Sequence, residues 1–222
     1  MKPQIQVAQE TLDLVDELVK QERVTDPLSA KGRLLAKAAK LFREKGYERT
    51  TVRDLAAAVG IQSGSIFHHF KSKEAILKAV MEEVVVYNTY RMQTKLSHAV
   101  SPREQVLALI MCELEAVNGV TGDAMSVLVY EWRSLSEANQ DYILALRDEY
   151  EQLWLNALEM AKEQGELAAD TFILRRFLTG ALSWTTTWFD KSGDLSMDSL
   201  AEEALKLAIK YLKQKKQTRS QI

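Results

Sequence analysis

The stretch Thr51–Leu77, TVRDLAAAVGIQSGSIFHHFKSKEAIL, decides the fold of this chain. Apolar residues recur at helical spacing on both sides of Gly60, which predicts a helix over Val52–Val59, a tight turn, and a short helix over Ser63–Phe70. Thr50 or Thr51 can cap the first helix, and Gly60 suits the turn because glycine tolerates a positive φ. The stretch therefore predicts two short helices that cross at an angle.

Capping residues predict further helices on both sides of this stretch. Ser29 begins a helix that Gly46 ends, and Ser72 begins a long helix that runs toward His98. The later helix starts are Ser101 with Pro102, Thr121 or Gly122, Ser136, Asp170 and Ser196. The last four of these helices are predicted to end at Leu135, Gly165, Phe189 and about Gln214. No segment alternates long enough to predict a strand, so the expected fold class is all-α.

Residues 1–28 form an N-terminal extension with two open interpretations. Leu12, Val15 and Leu18 recur at near-helical spacing, which favours a short amphipathic helix. The surrounding acidic residues and Pro27 favour a loosely attached or disordered segment instead. The expected organisation is therefore this extension, a small helical domain over 29–75, and a larger helical domain over 76–222.

Composition and charge narrow the function classes. The 222 residues are 46% hydrophobic and 27% charged, with 3 prolines and 9 glycines, which suits a globular helical protein. No apolar run is long enough for a bilayer, no signal-peptide pattern is present, and the single cysteine, Cys112, cannot form an internal disulfide. We therefore expect a cytoplasmic protein that does not bind membranes.

The net charge of −2 hides a basic block. Residues 29–75 carry ten basic and four acidic residues, whereas both flanking regions are acidic. The second short helix adds polar side chains at Gln62, Ser63, Ser65, His68 and His69. Such side chains suit base edges in a major groove, and Lys71 and Lys73 suit phosphates. The residues favour DNA binding, although helical hairpins without that function share the pattern.

Residues 29–80 resemble the DNA-binding domain of the TetR family of transcriptional regulators. The resemblance rests on the threonine-capped helix, Leu55-Ala56, Gly60-Ile61, Ser63-x-x-x-Phe67-x-x-Phe70 and Lys73-Glu74. It implies an all-α homodimer with an N-terminal three-helix helix-turn-helix DNA-binding domain and a C-terminal ligand-binding and dimerisation domain. It also implies a repressor that binds a double-stranded DNA operator and leaves it when a small effector binds.

The resemblance assigns roles within the helix-turn-helix. Four side chains are expected to face bases and four to lie near the DNA backbone. The base-facing set is Arg53, Gln62, Ser63 and Ser65, and the backbone set is Thr51, His68, His69 and Lys73. Family members usually carry tyrosine where this chain has Phe67, so we assign Phe67 to core packing with Ile66 and Phe70.

The C-terminal region carries a second resemblance. YEWRSLS at 130–136, RDEYE at 147–151 and LSWTTTWFDKSGDLSMDSLA at 182–201 resemble the ligand domains of TetR regulators of lipid catabolism, which often bind acyl-CoA thioesters. That group commonly has asparagine at the position of Ser183 and proline near Lys191, which this chain lacks. The resemblance implies an acyl-CoA or related lipid effector; the alternative is a drug-like hydrophobic molecule.

We expect this effector in a long apolar cavity with tryptophans in its walls and arginine at its mouth. The candidate ligand-binding residues are Trp132, Arg133, Arg147, Trp154, Arg176 and Trp184, with Arg175 as a further cation. Arginine can hold CoA phosphates by charge-assisted hydrogen bonds. The helices at 170–189 and 197–213 match the pair through which TetR proteins dimerise.

Other function classes have less support. The chain has no G-x-S-x-G, G-x-G-x-x-G, P-loop or H-E-x-x-H pattern, so we expect neither an enzyme nor a cofactor. His68 and His69 are adjacent on a helix and point about 100° apart, so they cannot readily share a metal ion. A helical interaction module without DNA binding remains the alternative from another class.

Overall fold

The computed structural model describes the backbone of residues 2–209 and the side chains of residues 11–209. Within these residues the fold is all-α, as predicted, with no strand. The helices are Lys2–Lys20 (α1), Ala30–Lys45 (α2), Val52–Val59 (α3), Ser63–Ile66 (α4), Lys73–His98 (α5), Pro102–Asn118 (α6), Gly122–Tyr130 (α7), Glu137–Glu163 (α8), Thr171–Trp184 (α9) and Met197–Ala208 (α10). The predicted extension of the last helix to Gln214 lies outside the described residues.

Side-chain caps set most of the helix starts. The side chains of Ser29, Thr51, Ser72, Ser101, Asp170 and Ser196 each accept a hydrogen bond from the backbone N–H three residues ahead. At α3 the cap is reciprocal, because Asp54 Oδ2 also accepts from the backbone N–H of Thr51 at 2.9 Å. The predicted bounds of α2, α3 and α5 are confirmed.

Three helices end earlier than predicted. α4 ends at Ile66 rather than Phe70, because the N–H groups of Phe67, His68 and His69 bond to carbonyls only three residues back. α7 ends at Tyr130 and α9 at Trp184, and each continues as a short 3₁₀ turn, Trp132–Ser134 and Thr185–Thr187. The tighter turns redirect the chain where a longer helix was expected.

The core has two clusters joined by the long helix α5. The first cluster packs α2, α3 and α4 against the first half of α5 and against α7. The second packs α6, α8, α9 and α10 around residues such as Met92 and Trp154. α5 contributes buried residues to both clusters, so it connects the small N-terminal domain to the larger C-terminal one. None of the helices among residues 2–209 has the length and hydropathy needed to cross a bilayer.

The N-terminal extension adopts the helical alternative. α1 packs on α5, and Leu18 is fully buried there. After α1, the Thr25 hydroxyl donates a 2.6 Å hydrogen bond to Glu83 on α5, and Arg23 lies over the ring of Tyr90. The second half of the extension is therefore anchored to the helix that joins the two domains.

Candidate DNA-binding surface and effector cavity

The helix-turn-helix is formed by α3, the turn at Gly60, and α4. Gly60 has φ 72° and ψ 31°, in the left-handed region that favours glycine. The N–H of Ile61 bonds to the carbonyl of Ala56 at 3.0 Å and closes the turn. Buried Leu55 and Ile66 hold α3 and α4 against α2. The turn that the sequence predicts is therefore present, and it fixes α4 on the outside of the small domain.

The predicted DNA-binding residues lie on one continuous stretch, from the start of α3 through α4 to the start of α5. Five of them are exposed: Thr51, Arg53, Gln62, His68 and His69. Ser63, Ser65 and Lys73 are half-buried. Thr51 also caps α3, so its hydroxyl already takes part in a local hydrogen bond.

Lys73 has a structural contact that sequence reasoning missed. Its Nζ donates to the backbone carbonyl of Tyr47 at 2.9 Å and lies 4.0 Å from the centroid of the Tyr47 ring. This contact links the start of α5 to the loop after α2. The neighbouring Lys71 is exposed on the same stretch. Lys73 therefore helps to hold the domain together, whatever contact it makes with DNA.

The packing role predicted for Phe67 is wrong. Ile66 and Phe70 are buried, as predicted, but the Phe67 side chain is 55% exposed. Ile66 and Phe70 are four positions apart and share one face of the helical turn, whereas Phe67 points about 100° away from Ile66. Phe67 therefore presents an apolar ring on the outer surface beside His68 and His69.

The large domain contains a cavity of about 900 Å³, referred to here as the effector cavity. Residues from α5, α6, α7, the first 3₁₀ turn, α8 and α9 line it. Its apolar lining includes Val84, Val85, Met125, Leu128 and Leu144. Its size falls in the range of small-molecule sites, about 300–1,000 Å³. The domain can therefore hold a ligand of that size without rearrangement of its helices.

Four polar side chains that are buried or half-buried also line the cavity, and we call Asn88, Glu113, Tyr150 and Arg175 its inner end. The Tyr150 hydroxyl donates a hydrogen bond to Glu113 Oε2. Arg175 forms an ion pair with Glu151 at 3.1 Å. Burial raises the pKa of Glu113 and of Tyr150, and it lowers the pKa of Arg175. Ionised groups are therefore costly at this end of the cavity.

The exposed part of the lining carries cations. Arg133 and Arg147 are exposed, and neither has an ion-pair partner among residues 11–209. Arg176 lies 3.4 Å from Glu151 and its guanidinium stacks over Phe172. Three of the predicted ligand-binding arginines thus lie together at the opening of one cavity, with Trp132 in its wall.

Two predicted ligand-binding residues lie elsewhere, and the cavity is less apolar than expected. Trp154 is fully buried in the second core cluster, and Trp184 is 62% exposed on α9; neither lines the cavity. More than half of the lining residues are polar or charged. The position of a tryptophan depends on which face of its helix packs against a neighbouring helix. The sequence pattern did not determine that face for Trp154 and Trp184.

One face of α9 is apolar and exposed. Ile173, Phe177 and Trp184 follow one another at steps of four and seven residues, which keeps them on one side of the helix, and exposed Trp188 follows the 3₁₀ turn after it. Phe177 is 74% exposed, and Leu207 on α10 is 88% exposed. We call these five residues the α9–α10 face. A patch of several large apolar side chains is typical of a protein–protein contact.

Other titratable groups do not form a site in the described part of the chain. Within residues 11–209, no three histidine, cysteine or acidic side chains converge as metal ligands would. Cys112 is buried in α6, and burial raises the pKa of its thiol to about 11. Its carbonyl accepts a hydrogen bond from Arg91. This thiol is therefore structural.

Comparison with known proteins agrees with both domains. A family model described as bacterial regulatory proteins, tetR family, matches residues 34–80. A second, described as tetracyclin repressor-like C-terminal domain, matches residues 99–212. The chain is 30% identical over 190 residues to the HTH-type transcriptional repressor KstR2 of Mycolicibacterium smegmatis. The match covers 83% of this chain and 91% of that protein.

Solved structures share the fold. A crystal structure described as superantigen pfit is 58% identical, with a TM-score of 0.79, and the match covers 90% of this chain and 99% of that one. The structure of AibR in complex with isovaleryl coenzyme A and operator DNA is 22% identical, with a TM-score of 0.74. This match covers 81% of this chain and 98% of that one. The chain has a helix-turn-helix and a large helical domain, and it is similar to these relatives over nearly their full length. These findings lead to one conclusion. This chain belongs to the TetR family, whose members are DNA-binding transcriptional regulators and not enzymes.

Proposed function

We propose that this TetR-type repressor acts as a cytoplasmic homodimer and that an acyl-CoA releases it from its operator. The observation that carries the effector proposal is the combination of one cavity with three arginines at its opening. Arg133, Arg147 and Arg176 can hold the phosphates of CoA by charge-assisted hydrogen bonds. The acyl group then enters the cavity between α5, α7 and α8. Trp154 and Trp184 are not part of this proposed site.

Two further observations support an acyl-CoA effector. Sequence motifs at 130–136 and 147–151 resemble those of lipid-catabolism regulators, and both segments contribute cavity residues. AibR, which shares the fold, was crystallised with isovaleryl coenzyme A and operator DNA. The mixed polar lining favours a thioester with a charged head group over a purely hydrophobic, drug-like molecule.

The proposed dimer contact is the α9–α10 face. Its side chains are large, apolar and exposed in the single chain, and burying them against a second copy would remove that area from water. The described parts of α9 and α10 correspond to the helix pair predicted from the TetR resemblance. A two-fold axis through this face would give the dimer two identical helix-turn-helix units.

The proposed DNA contacts are the predicted set on α3, α4 and the start of α5. Arg53, Gln62, Ser63 and Ser65 would read bases; Thr51, His68, His69 and Lys73 would contact the backbone. In a homodimer the two α4 helices would enter successive major grooves, about 34–36 Å apart. An effector that favours a different spacing of these helices lowers operator affinity. α5 connects the cavity to this surface.

The experiment is a titration of operator release with acyl-CoA thioesters. The operator is first selected from genomic DNA fragments by the purified protein. Saturated acyl-CoAs of increasing chain length are then added while DNA binding is followed by fluorescence anisotropy. Release at micromolar acyl-CoA, with CoA alone and free fatty acids weaker, supports the proposal. If no acyl-CoA changes DNA affinity while a drug-like hydrophobic molecule does, the effector proposal is wrong. If no DNA is selected, the protein is an interaction module instead.

A further inference from the structure

The inner end of the effector cavity has hydrogen-bonding capacity that the protein leaves unused. Asn88 is fully buried on α5; its amide nitrogen contacts the sulfur of Met125 at 3.4 Å, and its Oδ1 has no hydrogen-bond partner among the described residues. Rotating the amide by 180° exchanges its two ends but still leaves one without a partner. The Nε of Arg175, also buried, has no partner within residues 11–209 either.

The other two groups at the inner end are already paired. The hydroxyl of Tyr150 donates a hydrogen bond to the carboxyl of Glu113, so these two side chains are hydrogen-bonded to each other. Arg175 bonds Glu151 through Nη1, which leaves its Nε–H as a free donor in the described part of the chain. Among the buried groups of the lining, Asn88 and the Nε of Arg175 are therefore the ones that a ligand could satisfy.

These groups limit what can fill the cavity well. A saturated chain would lie against Asn88 and Arg175 without offering either unpartnered group a hydrogen bond. Val84 and Leu128 provide apolar contacts in the same cavity, so part of the ligand can be hydrocarbon. The best occupant has a hydrocarbon body with a polar atom at the depth of Asn88.

We infer that the acyl group of the effector carries an oxygen function, a hydroxyl or keto group, that hydrogen-bonds to Asn88 inside the cavity. This inference rests on the proposed acyl-CoA effector and specifies its acyl part. A hydroxyl can donate to Oδ1 of Asn88 and accept from an N–H such as that of Arg175. A keto oxygen can accept from the same N–H groups. A hydroxyl probe serves both orientations of the amide, because it donates and accepts.

The test compares octanoyl-CoA with three hydroxyoctanoyl-CoA thioesters. These three are isomers of one another, with the hydroxyl at carbon 3, 5 or 7 of the acyl chain. Each isomer places the oxygen at a different depth in the cavity. Binding to the full chain is measured by isothermal titration calorimetry. We expect at least one isomer to bind about tenfold more tightly than octanoyl-CoA, since a site built to hydrogen-bond an oxygen discriminates against an analogue that lacks it.

The same titrations are repeated with Asn88→Leu, which keeps the side-chain size and removes the amide. The gain from the hydroxyl should disappear, while octanoyl-CoA binds at least as well as before. Asn88→Ala serves if the leucine variant does not fold, as judged by its melting curve. Asn156→Leu, at an exposed asparagine on α8, is the matched control and should keep the gain.

The outcomes separate the two proposals. If octanoyl-CoA and all three isomers bind equally, or if the gain survives Asn88→Leu, the inference about Asn88 is wrong and the acyl-CoA effector stands. If none of the four thioesters binds, the acyl-CoA proposal fails, and this inference fails with it.

Discussion

Glu131 and Tyr47, which are 84 positions apart, meet in a hydrogen bond. The backbone N–H of Tyr47 donates to Oε1 of Glu131 at 3.0 Å, and the hydroxyl of Ser134 donates to Oε2 at 3.3 Å. Glu131 directly precedes Trp132 and Arg133 in the wall of the effector cavity. Tyr47 in turn accepts the hydrogen bond from Lys73. One carboxylate therefore joins the cavity wall to the loop that holds the start of α5.

We expect Glu131→Ala to lower the free energy of unfolding by about 1–2 kcal/mol, because the N–H of Tyr47 loses its acceptor. Operator binding should weaken as well, since the loop that positions Lys73 is loosened. Glu131→Gln keeps an oxygen acceptor and should stay within about 0.5 kcal/mol of the natural chain. Urea denaturation measures both variants. Identical midpoints for the alanine variant and the natural chain would contradict this prediction.

Lys71→Ala and Lys73→Ala should both weaken binding to all DNA sequences similarly, because a phosphate contact carries no sequence information. The slope of log affinity against log salt should fall by about 1 for each lost contact. Only Lys73→Ala should also lower stability, because Lys73 holds Tyr47. Binding is measured at several salt concentrations on two unrelated duplexes. A loss restricted to one base pair of the operator would argue against a phosphate contact.

Gly60→Val should destabilise the protein by about 1–2 kcal/mol or more, because a β-branched residue tolerates the left-handed conformation poorly. A Cβ at Gly60 would meet no atom within 4 Å, so the cost comes from the backbone alone. Gly64→Ala is the control; a Cβ there also meets open space, and alanine in a helix is expected to be neutral or stabilising. Melting temperatures decide, and an unchanged value for Gly60→Val would refute the strain argument.

Phe177→Glu should convert a dimer into a monomer, because it places a charge at the centre of the α9–α10 face. Operator affinity should drop sharply, since two half-sites are then bound independently. Val100→Glu changes a valine that is even more exposed, in the loop before α6, and should leave the dimer intact. Sedimentation velocity gives the mass of each variant. A dimer that survives Phe177→Glu would place the interface elsewhere.

Glu113→Gln should gain stability over the natural chain as the pH rises from about 4.5 toward 7. Burial raises the pKa of Glu113 above its ordinary 4.5, although Tyr150, Arg175, Arg91 and Arg147 oppose that rise. The folded chain then keeps a proton that the unfolded chain has released, so this group's contribution to stability falls with increasing pH. We expect the gain to be larger at pH 7 than near pH 4.5.

The glutamine variant is compared with Glu137→Gln, at an exposed position near the start of α8. Thermal unfolding is followed at several pH values, and the control shows the effect of removing an exposed carboxylate. A constant difference for Glu113→Gln would mean that the carboxyl at 113 is ionised in the fold without cost.

Helix starts were predictable because capping is local. The side chains of four cap residues accept a hydrogen bond from the backbone N–H three residues ahead: Ser29, Thr51, Ser72 and Asp170. A few neighbouring residues therefore determine each of these helix starts. The early end of α4 was not predictable in the same way. Its polar residues fit a helix through Phe70, and only the three-residue bonding pattern of the folded chain shows the tighter turn.

The cavity was predictable only in part. Arg133 and Arg147 lie on segments with recognisable motifs, whereas Arg176 lies outside them and the inner end combines α5, α6, α8 and α9. One feature of the sequence pointed to Asn88 as a buried polar residue: it follows Val84 by four positions and so lies on the same, buried side of α5. Trp154 and Trp184 illustrate the limit: both are in helices, but which neighbour each face meets is set by the tertiary packing.

The buried position of Cys112 has a consequence for how this regulator responds to stress. It is the only thiol in the chain, and both its burial and a pKa of about 11 keep it protonated and out of reach of oxidants at neutral pH. Peroxide or disulfide stress should leave its DNA binding unchanged. The same property makes the natural chain a background for labelling, because a cysteine introduced on α4 would be the one thiol that a maleimide reaches.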